Sequence, residues 1–313
     1  MKNKILPILL HLLAITIVCT SACYANQEND IAIKQIFQKS PKTLSIAKRL
    51  SWFSEQFLGQ PYQLGPLGEG KNGRYDQSPL YNLNGFDCTT YVETVLALAQ
   101  SNTLSTFKKN LIAIRYKDNT PSYLSRNHFM SLDWIPNNIQ KGFVKDISCK
   151  IKNEQNKSIC QSATADIDKG AWLLKKTITD IKIQNNNQKN NRIIELKTKA
   201  KNYASQQARI NYIPLTALFS HNKADLFLFN QIPNGSIITI VRPNWQLKQY
   251  IGTNINVSHL GFAIKKNGLL YFREASTIDR KVIDVPLEKY LKQYLESPSI
   301  KGINVLKIIY RKK

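Results

Sequence analysis

Apolar residues recur three and four apart in DIAIKQIFQ (residues 30–38) and in TLSIAKRLSWFSEQFLG (43–59). That spacing predicts helices over 26–60, with Gly59 as the closing signal. A Gly- and Pro-rich loop follows over 59–73. NGFDCTTYVETVLAL (84–98) puts Tyr91, Val92, Val95 and Leu96 on one face of a further helix reaching about Gln100, and TLSTFKKNLIAIRY (103–116) predicts another. Residues 141–210 differ in character: they hold fifteen basic and six acidic residues and no proline. They read as an insertion, partly a hairpin and partly the mixed helix NRIIELKTKAKNYASQQARI (191–210). The period then changes to two in GSIITIVR, NVSHLGFAIKK and GLLYFREAS, which read as strands separated by turn signals. Helices followed by clustered antiparallel strands indicate an α+β fold.

The chain has 313 residues, and its first 25 are expected to lie outside the fold. Lys2 and Lys4 precede the apolar run ILPILLHLLAITIV, and TSACYA supplies small residues for cleavage. This is the pattern of a secretory signal peptide cut near Ala25, leaving 26–313 as a single domain of an exported, periplasmic or secreted protein. A second reading makes Cys23 a lipidated terminus, although Thr20 stands where such signals carry Leu. No later segment has the roughly 18 apolar residues of a spanning helix, so no transmembrane segment is expected.

Export makes the cysteines informative. Cleavage after Ala25 leaves Cys88, Cys149 and Cys160. Cys149 and Cys160 are close in sequence, and an oxidising compartment favours pairing them. Closing that loop would add about 3 kcal/mol in the chain-entropy account. Cys88 is then the odd thiol, either a buried bystander or a reactive group. Asp87 before it reads as an N-cap, which places Cys88 in a first helical turn where N–H groups and the positive dipole end favour a thiolate.

The charge is strongly basic, 44 Lys and Arg against 21 Asp and Glu, and loss of Lys2 and Lys4 would change +23 to +21. No nucleic-acid-binding motif accompanies it, so nucleic acid is not expected as a partner. For an exported protein the available polyanions are the cell wall and the envelope surface, and a simply solvated basic surface competes with both.

Four histidines compete as a base. His11 falls in the signal segment, and His221 follows LTALFS at an expected helix end, where a surface role fits. In the strand around His259, Val257, His259, Gly261 and Ala263 share one face, and Leu260, Phe262 and Ile264 the other. Asn267-Gly268 is a two-residue hairpin signal. It pairs Lys266 with Leu269, then Gly261 with Glu274 and His259 with Ser276, which leaves Glu274 a diagonal neighbour of His259. A carboxylate there can hold the imidazole by its second N–H. The competing reading pairs Glu274 with Arg273 or Lys281 at the surface.

LGQPYQLG followed by GFDCTTYVE resembles the nucleophile region of the NlpC-type papain-like cell-wall hydrolases. FDCTTYVETVLALA, IRYKDNTPSYLSRNHFMSLDWIPNN, YIPLTALF, NVSHLGFAI and REASTIDRKVIDVPLEKYL are similar, in that order, to the amidase-like branch of that superfamily, once a domain of unknown function. The resemblance covers about 50–310. It implies a papain-like core with an antiparallel sheet on the nucleophile helix, Cys88 as nucleophile, His259 as base and the residue at Glu274 as its orienter. The branch carries His-Ala-Ser where this chain has Glu274-Ala275-Ser276, and Gly-Asp where it has Gly235-Ser236. The resemblance further implies N-acetylmuramoyl-L-alanine amidase activity on peptidoglycan or muropeptides by a monomer without cofactor or metal. Tyr62 would assist the oxyanion, Arg126 would meet a stem-peptide carboxylate and His128 would contact substrate. Structural hydrogen bonding competes as a role for the last two. Two other functions stay open: an endopeptidase cutting between D-glutamate and the diamino acid, and a peptidoglycan-binding module without turnover. No His-Glu-x-x-His or paired Cys-x-x-Cys spacing suggests a metal.

Overall fold

A computed structural model describes residues 27–41 and 43–310; the expected signal segment and Cys23 lie outside the described residues. Two helices open the described chain, α1 over 27–39 and α2 over Ile46–Glu55. They are followed by α3 (Cys88–Ala99) and α4 (Leu104–Arg115). Each of the last two begins with a capping box, Asp87 with Thr90 and Thr103 with Thr106, in which each partner's side chain accepts the other's backbone N–H. The helices expected from the three-and-four spacing are present, the starts of α3 and α4 set by these caps; α2 ends at Glu55, before the expected close at Gly59, which lies in the turn that follows with φ of 84°.

An eight-stranded antiparallel sheet forms the other layer. Its strands are β1 (Val144–Asp146), β2 (Gln161–Ile167), β3 (Gln206–Pro214), β6 (Ser236–Trp245), β7 (Ile255–Lys266), β8 (Leu269–Ser276), β9 (Lys281–Pro286) and β10 (Gly302–Ile308). The order is β2-β3-β10-β6-β7-β8-β9, with β1 also on β10. A separate two-stranded hairpin joins β4 (Phe219–Ser220) to β5 (Lys223–Ala224). The mixed α+β reading holds. One element reading does not: α7 (Lys189–Thr198) ends well before residue 210, and 206–210 belong to β3. Ala208, Ile210 and Tyr212 alternate inward there, a period of two that wins once a side chain can pair across to β2. Residues 141–210 follow the short helix α5 (Ile135–Gln140) and supply β1, β2 and the start of β3 to the sheet, with α6 (Lys169–Leu174) and α7 between β2 and β3. The Cys149–Cys160 disulfide is formed, with Cα atoms 4.9 Å apart, just before β2.

The sheet separates two cores. Tyr91, Val95 and Leu96 of α3 pack with Leu260, Phe262 and Ile264 of β7. On the other face Ala263 and Phe272 pack with Ile238, Ile240 and Tyr290. Two buried charge pairs tie the helices in. Glu93, inside α3, accepts from Arg115 Nε at 2.6 Å and Trp134 Nε1 at 3.1 Å. Arg273 grips Asp284 with Nε and Nη2 and donates Nη1 to the α2 residues Ser51 and Ser54. Among the described residues no helix is long and apolar enough to cross a membrane.

Removing one member of a buried pair strands the other, which costs about 3–5 kcal/mol. Glu93→Ala is accordingly expected to lower stability by about that amount in urea unfolding. Arg74→Ala, which breaks a largely exposed pair with Glu195, is expected to move the midpoint far less.

Candidate active site

The site begins with the entry into α3. Asp87 Oδ1 accepts the Thr90 N–H at 2.7 Å, and Asp87 N–H donates to Thr90 Oγ1 at 3.0 Å. Asp87 Oδ2 accepts from Gly65 N–H at 3.1 Å, so the same carboxylate fastens the preceding loop. Of the N–H groups that open a helix, this leaves those of Cys88 and Thr89 without an intrahelical partner. Cys88 is half-buried and, among the described residues, free of any disulfide. The Tyr62 loop is held from both sides: Tyr62 N–H donates to Arg280 O at 2.8 Å, and Gln63 N–H donates to Phe86 O at 2.9 Å. Tyr62 and Cys88 line one pocket. Burial, then the charges of Cys88 and Asp87, raise the Tyr62 pKa, so its hydroxyl keeps its proton as a donor.

The hairpin forms as its turn residues dictate. Asn267 and Gly268 have φ of 48° and 80°, the left-handed pair of a type I′ turn. Pairing runs from Lys266↔Leu269 to Phe262↔Arg273 without a slip. Glu274 consequently lies on the face of His259, and its Oε2 is hydrogen-bonded to His259 Nε2. The competing pairing of Glu274 with Arg273 does not occur, because adjacent residues of a strand face opposite sides and Arg273 is taken by Asp284. With Nε2 on Glu274, Nδ1 is the ring nitrogen left for Cys88. Burial alone would lower the His259 pKa. The Cys88 charge and hydrogen bond beside it, with those of Glu274, more than offset that and raise it to about 10.

The small residues that share the His259 face of β7 leave room there for a helix end or a substrate, but not for the body of the helix that carries Cys88. The body of α3 packs on the opposite, bulky face. Pairing between β6 and β7 goes from Ile240↔His259 to Val241↔Val257, leaving Ser258 as an extra residue. That bulge breaks the alternation, and Val257 packs in the cluster that contains α3 rather than sharing the His259 face. Cys88 and His259 therefore meet at the rim of the sheet, where two pockets adjoin. They share Cys88, Ser258 and His259. One, about 140 Å³, is bounded by Thr89, His128, Met130 and Asn256; Met130 opens a π-helical turn over Met130–Trp134. The other, about 230 Å³, is bounded by Tyr62, Arg242, Trp245 and Tyr290.

The remaining candidates are engaged within the protein. Arg126 binds Glu69 Oε1 through Nε at 2.9 Å and also through Nη2, lies 4.0 Å from Asp76 Oδ2, and sits over the Tyr123 ring. A carboxylate arriving there would meet a guanidinium already paired. His128 donates Nε2–H to Tyr123 O at 2.7 Å and packs against the Tyr123 and Trp172 rings. Burial, then the Arg126 charge, keep its pKa well below the usual value, so it is neutral. It nevertheless lines the smaller pocket. His221 sits exposed at the β4–β5 turn, its φ of 47° and its contact with Ser220 fitting a surface role. Ser236 is buried on β6, and its hydroxyl finds no partner among the described residues. Arg242 and Trp245 were not singled out by motif. Pro243 in VRPNW was the available signal, since proline in a strand marks an edge or a bulge. Among the described residues no group of three or more His, Cys, Asp and Glu could hold a metal ion.

The AmiA-like family, described as N-acetylmuramoyl-L-alanine amidase-like, matches residues 52–297. Among solved structures, a protein of Legionella pneumophila is similar at 45% identity and a TM-score of 0.90, over 93% of this chain and 98% of its own. Two crystal structures of an N-acetylmuramoyl-L-alanine amidase from Bacteroides uniformis superpose with TM-scores of 0.59 and 0.57, at 24% and 25% identity. They cover 84% and 86% of this chain and 99% of theirs. No curated protein matches. The family match runs from α2 through Cys88, His259 and Glu274 to the turn after Tyr294, and the chain belongs to the AmiA-like, N-acetylmuramoyl-L-alanine amidase-like family.

Proposed function

We propose that the protein is a cysteine-dependent peptidoglycan amidase that hydrolyses the amide between N-acetylmuramic acid and the L-alanine of the stem peptide. The observation that carries this reading is His259 held between Cys88 and Glu274 at the capped start of α3, in a chain of amidase-like family. In this reading the fold is a papain-like core, and residues 26–313 act as one exported unit after removal of 1–25. The basic stretch 141–210 is an elaboration of that unit. Its substrates are intact wall or soluble muropeptides.

Cys88 passes its proton to His259, and the sulfur attacks the lactyl carbonyl carbon. The carbonyl oxygen becomes an oxyanion facing the Cys88 N–H at the helix start, with the Tyr62 hydroxyl as a second donor. Breakdown cleaves the C–N bond, and the departing alanine nitrogen takes the proton from the His259 imidazolium. A thioester remains. Neutral His259 then takes a proton from water, the hydroxide attacks the thioester carbon, and the lactyl carboxylate leaves with Cys88 restored. Glu274 holds the ring by Nε2–H and stabilises the imidazolium through both steps. His128 lines the smaller pocket, where in its neutral form it offers no charge to a ligand, and Arg126 lies in the neighbouring depression, paired with Glu69.

Mass spectrometry of muramyl-tripeptide and muramyl-tetrapeptide digests is expected to find free intact stem peptide with the wild type and none with Cys88→Ala. Fragments cut within the stem would assign the endopeptidase reaction instead, and a folded protein that binds muropeptide without turnover would assign the binding role.

The pH dependence follows from the same pair. The folded-state pKa of His259, about 10, lies above its ordinary value, so the imidazolium is present below that pH and lost as pH rises through it. The rate of amine release in single-turnover experiments is expected to fall as pH rises through about 10. Glu274→Gln removes the charge while keeping an acceptor, and should move that limb to lower pH. An unmoved limb would exclude Glu274 as the group that supports the imidazolium.

A further inference from the structure

The two pockets that meet at Cys88 differ in charge. An amide held at Cys88 has an acyl arm and an amine arm, and each must leave the reacting centre through one of them. In the smaller pocket no positive group is free: His128 is neutral and donates to a carbonyl. The neighbouring depression that contains Arg126 has its guanidinium on Glu69. The larger pocket contains Arg242, whose surroundings are of another kind.

Elsewhere the buried or half-buried arginines of this site's surroundings face carboxylates: Arg115 has Glu93, Arg126 has Glu69 and Arg273 has Asp284. The Arg242 side chain has no ion pair and no hydrogen bond among the described residues. Its Nε is buried without an acceptor. Its one contact of note is the face of Trp245, with the guanidinium carbon 4.1 Å from the ring centroid. That stacking holds a planar donor fork in place while leaving its edge free for an oxyanion. The position is built by the sheet. Pairing jumps from Val241↔Val257 to Trp245↔Ile255, so Arg242, Pro243 and Asn244 form an extra loop in β6, with Asn244 at φ 46°. Two side-chain amides brace the loop: Asn256 Oδ1 accepts from Asn244 N–H at 3.0 Å, and Asn254 Nδ2–H donates to Asn244 Oδ1 at 2.9 Å. The carboxylate that shares the pocket, Glu274, is occupied by His259. An unpartnered, braced cation next to the nucleophile is costly to maintain unless a ligand completes it.

We propose that Arg242, seated on Trp245, receives a carboxylate of the stem peptide, so that the larger pocket takes the amine arm of the substrate and the smaller pocket the uncharged muramoyl arm. This rests on the amidase reading for the identity of the two arms. N-acetylmuramic acid joined in the amide carries no charge, whereas the stem carries free carboxylates, so the charge of the pocket selects the arm. Bidentate pairing with a guanidinium fixes the orientation of the peptide as well as its presence.

Calorimetric titration of free stem tripeptide (L-Ala, γ-linked D-Glu, diamino acid) into Cys88→Ala protein tests this directly, beside the same peptide with its carboxyls converted to carboxamides. The carboxylate form is expected to bind at least tenfold more tightly. Arg242→Gln should erase the difference, and Arg242→Lys should keep part of it. In the Cys88-containing enzyme, Arg242→Gln should raise KM for muramyl-tripeptide by a similar factor with a smaller change in kcat. A preference that survives Arg242→Gln, or that disappears on Arg126→Gln instead, overturns the assignment, as does absence of tripeptide binding to a folded protein. Failure of the amidase reading looks different: the wild type releases no peptide from muramyl-tripeptide, while the Arg242-dependent preference in the titration persists.

Discussion

The Asp87 carboxylate is the joint on which the site depends. One oxygen closes the first turn of α3 and the other holds the backbone of Gly65. A single side chain therefore fixes where the Cys88 sulfur stands and where the loop bearing Tyr62 runs. The cap matters electrostatically too: it uses the Thr90 N–H and leaves those nearest the sulfur without a partner in the helix, at its positive end. The rest of α3 is almost wholly buried, so the helix cannot shift to accommodate a misplaced end.

The second constraint is the irregularity of the sheet at its rim. A regular pairing of β6 and β7 would keep the α3 core and the His259 face strictly apart. The extra Ser258 on β7 and the extra residues after Val241 on β6 break that alternation at the level of the histidine. The bulges bring a residue of the Phe272 face to a cysteine anchored in the other core. They also turn Arg242 into the pocket beside Tyr290. Charge is distributed accordingly. The carboxylates of Glu93, Glu69 and Asp284 neutralise arginines inside the scaffold, and Glu274 serves the imidazole alone.

Much of this was legible in local sequence. The apolar spacing placed the helices, and Asp87 and Thr90 placed the start of α3, because capping is settled within four residues. Asn267-Gly268 placed the register that brings Glu274 to His259, because a two-residue turn leaves no freedom in the count. The Cys149–Cys160 pairing followed from proximity along the chain. Reading failed where long-range pairing decided. Residues 206–210 sit beside a good helix former, and only the partner strand β2 makes them extended. Arg126 looked like a free fork until the fold brought Glu69, 57 residues away in sequence, against it.

The sequence by itself thus determined the α+β composition, the capped helix that begins at Cys88, the histidine hairpin and the disulfide, all of which rest on interactions between residues near one another in the chain. Tertiary structure alone decided which face of β7 carries the helix, which arginines of the site's surroundings are neutralised, and that Arg242 is left open. Those outcomes depend on bulges and on contacts between segments far apart, and a side chain's charge has no functional meaning until its partners in space are known.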